Sequence, residues 1–129
     1  MLKNIVEKYV NDNYNCSESI LRAMNEYYQL GIDEHGLKVA SGFGGGLYSG
    51  DVCGCLTGAI MAMSVMLVED KSNTTPNFKD EIRNFYQAFL KEYGSTNCCE
   101  LRATQRHPQL GCKELMIRVG DFIETYNKK

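Results

Sequence analysis

The chain has 129 residues, a common size for one domain and enough to bury a hydrophobic core without disulfide bonds. Its formal net charge is −2 and its 14 basic residues are scattered, so no basic stripe predicts a nucleic-acid partner. Lys3, Glu7 and Lys8 interrupt the first ten residues, which excludes a secretory apolar segment there. With no arginine-rich transit pattern either, we expect a cytoplasmic protein, and in a reducing cytosol six cysteines indicate metal binding or redox chemistry.

The first third of the chain shows apolar residues at helical spacing. The pattern predicts a first helix from Leu2 to about Asp12. A second helix is expected to begin after Asn15 and to end at Gly31, and a shorter third helix follows Asp33.

The middle of the chain contains the glycine-rich residues 42–46 and then an uncharged run. Ser49 or Asp51 is the expected N-terminal cap of a fourth helix. The uncharged run, 52–68, is only 17 residues long and lacks flanking anchors, so it predicts a buried central helix and no membrane span. Gly54 and Gly58 leave a smooth strip on this helix that another helix can approach closely.

The last third of the chain predicts three further helices. The fifth ends at Gly94, a sixth begins at Asn97, and Pro108 breaks the chain before a final helix that reaches about Tyr126. No segment alternates with period two. We therefore expect an all-α fold, in which residues 1–129 form one single-domain helical bundle of about five to seven helices.

Cysteine recurs at predicted helix starts. Asn-Cys-Ser-Glu at 15–18 follows the capping-box pattern, and similar tetrapeptides stand at 97–100 and 111–114. The pattern places Cys16, Cys98 and Cys112 each at the first helical position. The unpaired N–H groups and positive dipole end of a helix favour thiolate over thiol, so these positions predict lowered thiol pKa values.

Connectivity predicts that these helix starts meet. Neighbouring helices in a bundle with short connections alternate in direction, so the second and fourth helices start at the same end. Cys16 and Cys53 then share that end, and the fifth helix returns the chain to it with Cys98, shortly before Cys112. We expect these four thiols to lie close together.

Two further cysteines leave alternatives open. Residues two apart on a regular helix point about 200° away from each other. Either Cys53 lies in an irregular first turn, or only one of Cys53 and Cys55 faces the site. Cys98 and Cys99 are adjacent, so one of them is expected to point elsewhere.

These motifs together resemble the C-GCAxxG-C-C family of redox-active proteins over nearly the full length of the chain. The residues that carry the resemblance are Asn15-Cys16, Gly42–Gly46, Cys53-Gly54-Cys55-Leu56-Thr57-Gly58, Cys98 before Glu100-Leu101, and Cys112. Cys55 stands where the family motif has alanine, and Cys99 lies outside the usual four cysteines.

The resemblance implies redox activity, either as an electron-transfer protein or as an oxidoreductase. A similar domain occurs in split-Soret cytochromes, which implies an iron–sulfur cluster held by Cys16, Cys53, Cys98 and Cys112. Cys55 and Cys99 are then secondary candidates, as substitute ligands or resolving thiols.

The residues themselves leave three kinds of chemistry open. Four thiolates at helix starts suit an iron–sulfur cluster, helix-start thiols also suit metal-free dithiol–disulfide exchange, and four cysteines can hold a structural zinc ion. The expected partner is a redox protein, and the apolar fourth helix would permit a homodimer. Arg102 and Arg106 could offset the charge of a cluster or face water, and we expect them to face water. His35 is expected on the surface, and His107 is expected to be a plain loop residue and not one that assists a thiol.

The glycine stretch completes neither a dinucleotide fingerprint nor a phosphate-binding loop, so no nucleotide is predicted. It is interpreted as a tight turn or as backbone passing close to the cysteines. Gly44 and Gly45, together with Gly54 and Gly58, are the candidate supporting backbone positions of the site.

Overall fold

Helices account for nearly all regular structure of this chain. The computed structural model describes residues 1–106 and 111–128, and within these ranges it contains seven α-helices and no β-strand. They are α1 (Leu2–Asn11), α2 (Cys16–Tyr27), α3 (Glu34–Leu37), α4 (Gly54–Leu67), α5 (Phe78–Tyr93), α6 (Cys98–Gln105) and α7 (Lys113–Asn127). Two 3-10 segments, Lys38–Phe43 and Ser72–Thr74, lie between them. The predicted all-α fold is confirmed.

Helices α1 and α7 cross closely and hold the two ends of the chain together. A methyl group on Gly120 would lie 2.9 Å from Val6 Cγ2 and 3.0 Å from Lys3 Cα, so α7 has no room for a side chain at the crossing. The Leu2 N–H donates a hydrogen bond of 2.8 Å to Glu124 Oε1, which satisfies an otherwise unpaired amide at the start of α1.

Helices α2 and α4 form the centre of the bundle, as the predicted glycine strip requires. A Cβ at Gly58 would lie 2.5 Å from the Ser17 carbonyl oxygen, and one at Gly54 would collide with the Cys16 sulfur. The starts of α2 and α4 are therefore pressed together. The first three turns of α4 are buried or half-buried, whereas Val65 and Met66 near its end are exposed.

The predicted end of the second helix is wrong. Helix α2 ends at Tyr27, and the next left-handed residue is Gln29, two positions before Gly31. The Asn25 side chain is the physical reason: its Oδ1 accepts a 2.9 Å hydrogen bond from the Ile32 N–H, and its Nδ2 donates to the Ile32 carbonyl oxygen. This pairing turns the chain out of the helix.

The predicted caps of α4 are also wrong. Ser49 donates its hydroxyl to the Leu47 carbonyl oxygen, and the Asp51 carbonyl accepts a hydrogen bond from Cys98. Helix α4 instead begins at Gly54, with Cys53 in the N-cap position.

Helix α7 begins one residue later than predicted. Cys112 is its N-cap and Lys113 its first residue, because the Cys112 carbonyl accepts the first helical hydrogen bond, from Met116 at 3.0 Å. Gly111 has no side chain with which to cap a helix and adopts φ +62°. The predictions for His107 and Pro108 lie outside the described residues. Within the part of the chain that the structure describes, no helix has both the length and the apolar character to cross a bilayer.

Candidate functional site

The starts of α2, α4, α6 and α7 surround one cavity of about 460 Å³. Five of the six cysteines line it: Cys16, Cys53, Cys55, Cys98 and Cys112. The remaining lining residues are Asn15, Gly45, Tyr48, Gly50, Gly54, Leu101, Arg102, Leu115 and Met116. The structure thus brings the four primary cysteines together with one of the two secondary ones.

Cys16 is fixed by a complete capping box at the start of α2. The Glu18 N–H donates to Asn15 Oδ1 at 2.9 Å, and the Asn15 N–H donates back to Glu18 Oε1 at 3.0 Å. The Asn15 Nδ2 donates to the Tyr48 hydroxyl and to the Ser41 carbonyl oxygen, at 2.9 and 3.0 Å. Asn15 therefore links the helix start to the glycine-rich segment on the other side of the cavity.

Cys53 and Cys98 are held together through their backbones. Val52 and Asn97 form an isolated antiparallel bridge, beside which the Cys98 N–H donates to the Asp51 carbonyl oxygen at 2.6 Å. The Cys53 N–H donates to Thr96 O at 2.8 Å. These bonds join the chain entering α4 to the chain entering α6, so residues 45 positions apart in sequence reach the same cavity.

Cys53 and Cys55 both face the cavity because Cys53 stands before the helix. Its backbone is extended, with φ −58° and ψ 130°, whereas Cys55 lies in the first turn of α4. Of the two alternatives open from sequence, the irregular start is the one observed. The Cys55 thiol donates a hydrogen bond to the Cys53 sulfur, and this is the largest cause that lowers the pKa of Cys53 to about 7.

The pKa values of Cys53 and Cys55 move in opposite directions. The backbone N–H groups of Cys55 and Leu56 also lower the pKa of Cys53, against the opposing effect of burial. The same hydrogen bond, with complete burial, raises the pKa of Cys55 well above its usual value. Cys53 is therefore the sulfur that ionises first, and Cys55 stays a protonated donor.

The expectation of lowered pKa values is wrong for Cys16 and Cys98. Burial raises the pKa of the Cys16 thiol, and the nearby N–H groups of Gly45 and Ser17 lower it by less than burial raises it. Burial also raises the pKa of Cys98, although the charge of Arg102 opposes it. A helix start favours the thiolate only where its N–H groups outweigh the loss of water.

A left-handed turn in the glycine-rich segment forms one wall of the cavity. Gly45, Gly46, Leu47 and Tyr48 all have φ between 53° and 63°, a conformation that costs a non-glycine residue roughly 1–2 kcal/mol. A Cβ on Gly46 would lie 2.7 Å from the Cys98 Cβ, so this turn is packed against α6. The interpretation of the stretch as backbone close to the cysteines is confirmed.

The four candidate supporting glycines have different positions. Gly45 and Gly54 line the cavity. Gly44 lies against the Asn15 side chain and Gly58 against the Ser17 backbone, so these two support the residues that flank Cys16.

Tyr48 and Arg102 are among the cavity residues that the sequence did not assign to the site. Tyr48 is 70% exposed yet lines the cavity, and its position between Gly46 and Gly50, just before Cys53, is the signal that marks it. Arg102 was expected to face water and not to offset the charge of a cluster, and it both reaches solvent and lines the cavity, with its guanidinium close to Gly45. Arg102 brings a positive charge to the mouth of the cavity, the side on which Tyr48 and Arg102 reach solvent.

Cys99 lies apart from the other thiols. It is exposed, absent from the cavity wall, and its sulfur is packed against Gly50. His35 is exposed, as predicted. Among residues 1–106 and 111–128, no three side chains of His, Cys, Asp or Glu lie close enough to bind one metal ion.

Comparisons with known proteins are consistent with this site. A protein of Archaeoglobus fulgidus with the printed name "Uncharacterized protein" is 29% identical over 102 residues, which covers 71% of this chain and 68% of that protein. No solved structure matches the chain. The family model described as "Putative redox-active protein (C_GCAxxG_C_C)" matches residues 14–126, a range that contains all six cysteines, and the chain therefore belongs to this family.

Proposed function

We propose that this protein transfers electrons through an iron–sulfur cluster held by Cys16, Cys53, Cys98 and Cys112. The observation that carries the proposal is their convergence: four thiols from four different helix starts line one cavity of about 460 Å³. Thiolate is the ligand that iron–sulfur clusters prefer, and a cavity of this volume has room for a group of several atoms. When bound, such a cluster accepts and releases single electrons.

The residues around the thiols suit a group with negative charge. The N–H groups of Gly45 and Ser17 face the Cys16 sulfur, and those of Cys55 and Leu56 face the Cys53 sulfur. Donors of this kind stabilise negative charge on ligand sulfurs and so tune the reduction potential. The Arg102 guanidinium at the mouth would add to this stabilisation.

The open side of the cavity would meet the redox partner. Tyr48 and Arg102 both line the cavity and reach solvent, and Asn15 holds the Tyr48 hydroxyl in place. We propose that an electron donor or acceptor protein docks at this mouth, since transfer needs a short path to the cysteines. A reducing compartment such as the cytoplasm would keep the thiols available as ligands.

A second candidate function, thiol–disulfide exchange without metal, is favoured by one specific pair of thiols. Cys53 and Cys55 stand one residue apart and line the same cavity, and each is the largest influence on the pKa of the other. Dithiol chemistry requires such proximity.

Metal analysis of protein expressed and purified without oxygen tests the first proposal. We expect iron and acid-labile sulfide in comparable amounts, together with visible absorbance that bleaches on reduction. A colourless sample with zinc would assign the four cysteines to a structural site, and a metal-free sample with free thiols would leave the second candidate.

Matched serine variants identify the ligands. Cys16→Ser, Cys53→Ser, Cys98→Ser and Cys112→Ser should each lose most of the iron. Cys99→Ser is the control, because Cys99 lies outside the cavity wall and its replacement should retain most of the iron. Equal loss from Cys16→Ser and Cys99→Ser would contradict the assignment.

A further inference from the structure

Cys53 and Cys55 stand on either side of Gly54 at the start of α4. Cys53 is 5% exposed and Cys55 is 1% exposed, and both sulfurs line the same cavity. Each thiol is also the largest influence on the pKa of the other, which lowers the pKa of Cys53 and raises that of Cys55.

The backbone conformation allows Cys53 and Cys55 to form a disulfide bond. Cys53 is extended and precedes the helix, whereas Cys55 belongs to its first turn, so their side chains converge in the way that a regular helix prevents. The residue between them is glycine, and it is required there because the Cys16 sulfur occupies the place of its Cβ. The fold therefore presents two thiols side by side, with a chain between them that has no side chain in the way.

We infer that Cys53 and Cys55 form a redox dithiol, in which Cys53 attacks low-molecular-weight disulfides that enter the cavity and Cys55 resolves the resulting mixed disulfide. This inference deepens the second candidate function, metal-free thiol exchange, and does not depend on cluster binding. It describes the chain when no metal group occupies the cavity.

The reaction balances as two exchange steps. The Cys53 thiolate attacks one sulfur of the incoming disulfide, the S–S bond of that molecule breaks, and its first thiolate leaves and takes up a proton. The Cys55 thiol then gives up its proton, its sulfur attacks the Cys53 sulfur, and the second thiol of the substrate leaves protonated. Two cysteine thiols are oxidised to one disulfide, and one small disulfide is reduced to two thiols.

The surroundings determine which sulfur attacks. Cys55 is 1% exposed in the first turn of α4, whereas Cys53 precedes the helix and is 5% exposed, so an incoming disulfide reaches the Cys53 sulfur first. The open side of the cavity is lined by Arg102 and Tyr48, whose guanidinium and hydroxyl can donate to the carboxylates of a small peptide disulfide. Oxidised glutathione has this chemistry and serves as the probe.

The test uses the metal-free full-length chain, reduced and checked by metal analysis, and exposed to oxidised glutathione without oxygen. Intact-mass and peptide mass spectrometry should show the loss of two hydrogens and a disulfide between Cys53 and Cys55. A stable glutathione adduct on the wild-type protein would overturn the inference. So would a disulfide between any other pair, although thiol exchange as such would then stand.

Variants separate the two roles. Cys55→Ser should stop the reaction at the mixed disulfide, so that one glutathionyl group accumulates on Cys53, and Cys53→Ser should leave Cys55 unmodified. Cys55→Ala, which also removes the resolving thiol, should give the same adduct as Cys55→Ser. Cys99→Ser is the control and should form the Cys53–Cys55 disulfide like the wild type. Failure of Cys55→Ala to trap an adduct, with helical circular dichroism unchanged, would refute the role of Cys55.

Discussion

Gly54 lies directly against the Cys16 sulfur, so closely that a methyl group at position 54 would overlap with it. Such a methyl group would also lie 3.0 Å from the Phe43 carbonyl oxygen and 3.2 Å from the Ser17 N–H nitrogen. The contact joins the start of α4 to the start of α2 at the wall of the cysteine cavity. The absence of a side chain at position 54 is therefore what lets two helix starts share one site.

Gly54→Ala should consequently destabilise the protein and displace Cys16. Overpacking of this kind costs about 1–3 kcal/mol, which chemical denaturation followed by helical circular dichroism would measure. Gly42→Ala is the matched control, because a Cβ at Gly42 meets no atom within 4 Å, and its effect should stay within about 0.5 kcal/mol. Equal stabilities of the two variants would contradict the described contact.

The pKa of Cys53 predicts a specific pH dependence of its alkylation. The thiolate is the reactive form, and a pKa of about 7 means that the rate should rise as pH increases through 7 and then level off. Iodoacetamide labelling of the metal-free chain at a series of pH values, read at the Cys53 peptide by mass spectrometry, measures this midpoint.

The comparison for this measurement is Cys55→Ala. The Cys55 thiol is the largest cause of the lowered Cys53 pKa, and alanine removes this donor altogether. The midpoint of Cys53 labelling should therefore move to higher pH in the variant. An unchanged midpoint would show that the backbone N–H groups of α4 alone set the pKa.

Local sequence patterns and connectivity were enough to predict the helices and which helix starts lie close together. The capping box at Asn15 and Glu18 places Cys16 by local hydrogen bonds, which a sequence pattern can reveal. The glycine spacing of α4 likewise indicated a close helix contact before any coordinates. The end of α2 could not be predicted in this way, because it depends on a hydrogen bond from the Ile32 N–H to the side chain of Asn25, seven residues earlier in the chain.

The electrostatics of the site could not be predicted from the sequence, because they depend on burial. Cys16 and Cys98 stand at helix starts like Cys53, but burial dominates at both and raises the pKa. The left-handed turn that brings Tyr48 to the cavity depends on packing of Gly46 against Cys98, which is 52 positions later in the sequence. A sequence pattern shows the glycines of the turn, but it shows neither the burial of the thiols nor the packing of the turn against α6.

Replacing Leu47 with glycine in the left-handed turn should not destabilise the protein, unlike most glycine substitutions. Leu47 is 43% exposed and has φ +62°, so Leu47→Gly removes an unfavourable conformation of roughly 1–2 kcal/mol and loses little packing. After the entropic cost of glycine, the net effect should lie between neutrality and a stabilisation of about 1 kcal/mol.

A second exposed apolar residue provides the comparison. Val39 is 62% exposed and lies in the 3-10 helix Lys38–Phe43 without a positive φ. Val39→Gly should therefore destabilise the protein by about 1 kcal/mol in the same denaturation experiment. If both glycine variants lose stability equally, the left-handed conformation of Leu47 is not a source of strain.

The charge of Arg102 should influence the cavity over a short distance. Arg102 lowers the pKa of Cys98 against the effect of burial, so Arg102→Ala should raise that pKa further and move Cys98 alkylation to higher pH. Arg102→Lys keeps the charge and should restore much of the wild-type profile. Arg83→Ala removes an equal charge from α5, where Arg83 pairs with Asp80 outside the cavity wall, and should leave the pH profile of Cys98 alkylation unchanged.

In protein that holds a cluster, Arg102→Ala should also shift the reduction potential to more negative values. Reduction adds negative charge to the cluster, and the variant lacks the positive charge that stabilises it. A potential that is the same in Arg102→Ala and Arg83→Ala would place the guanidinium too far from the redox centre to act on it.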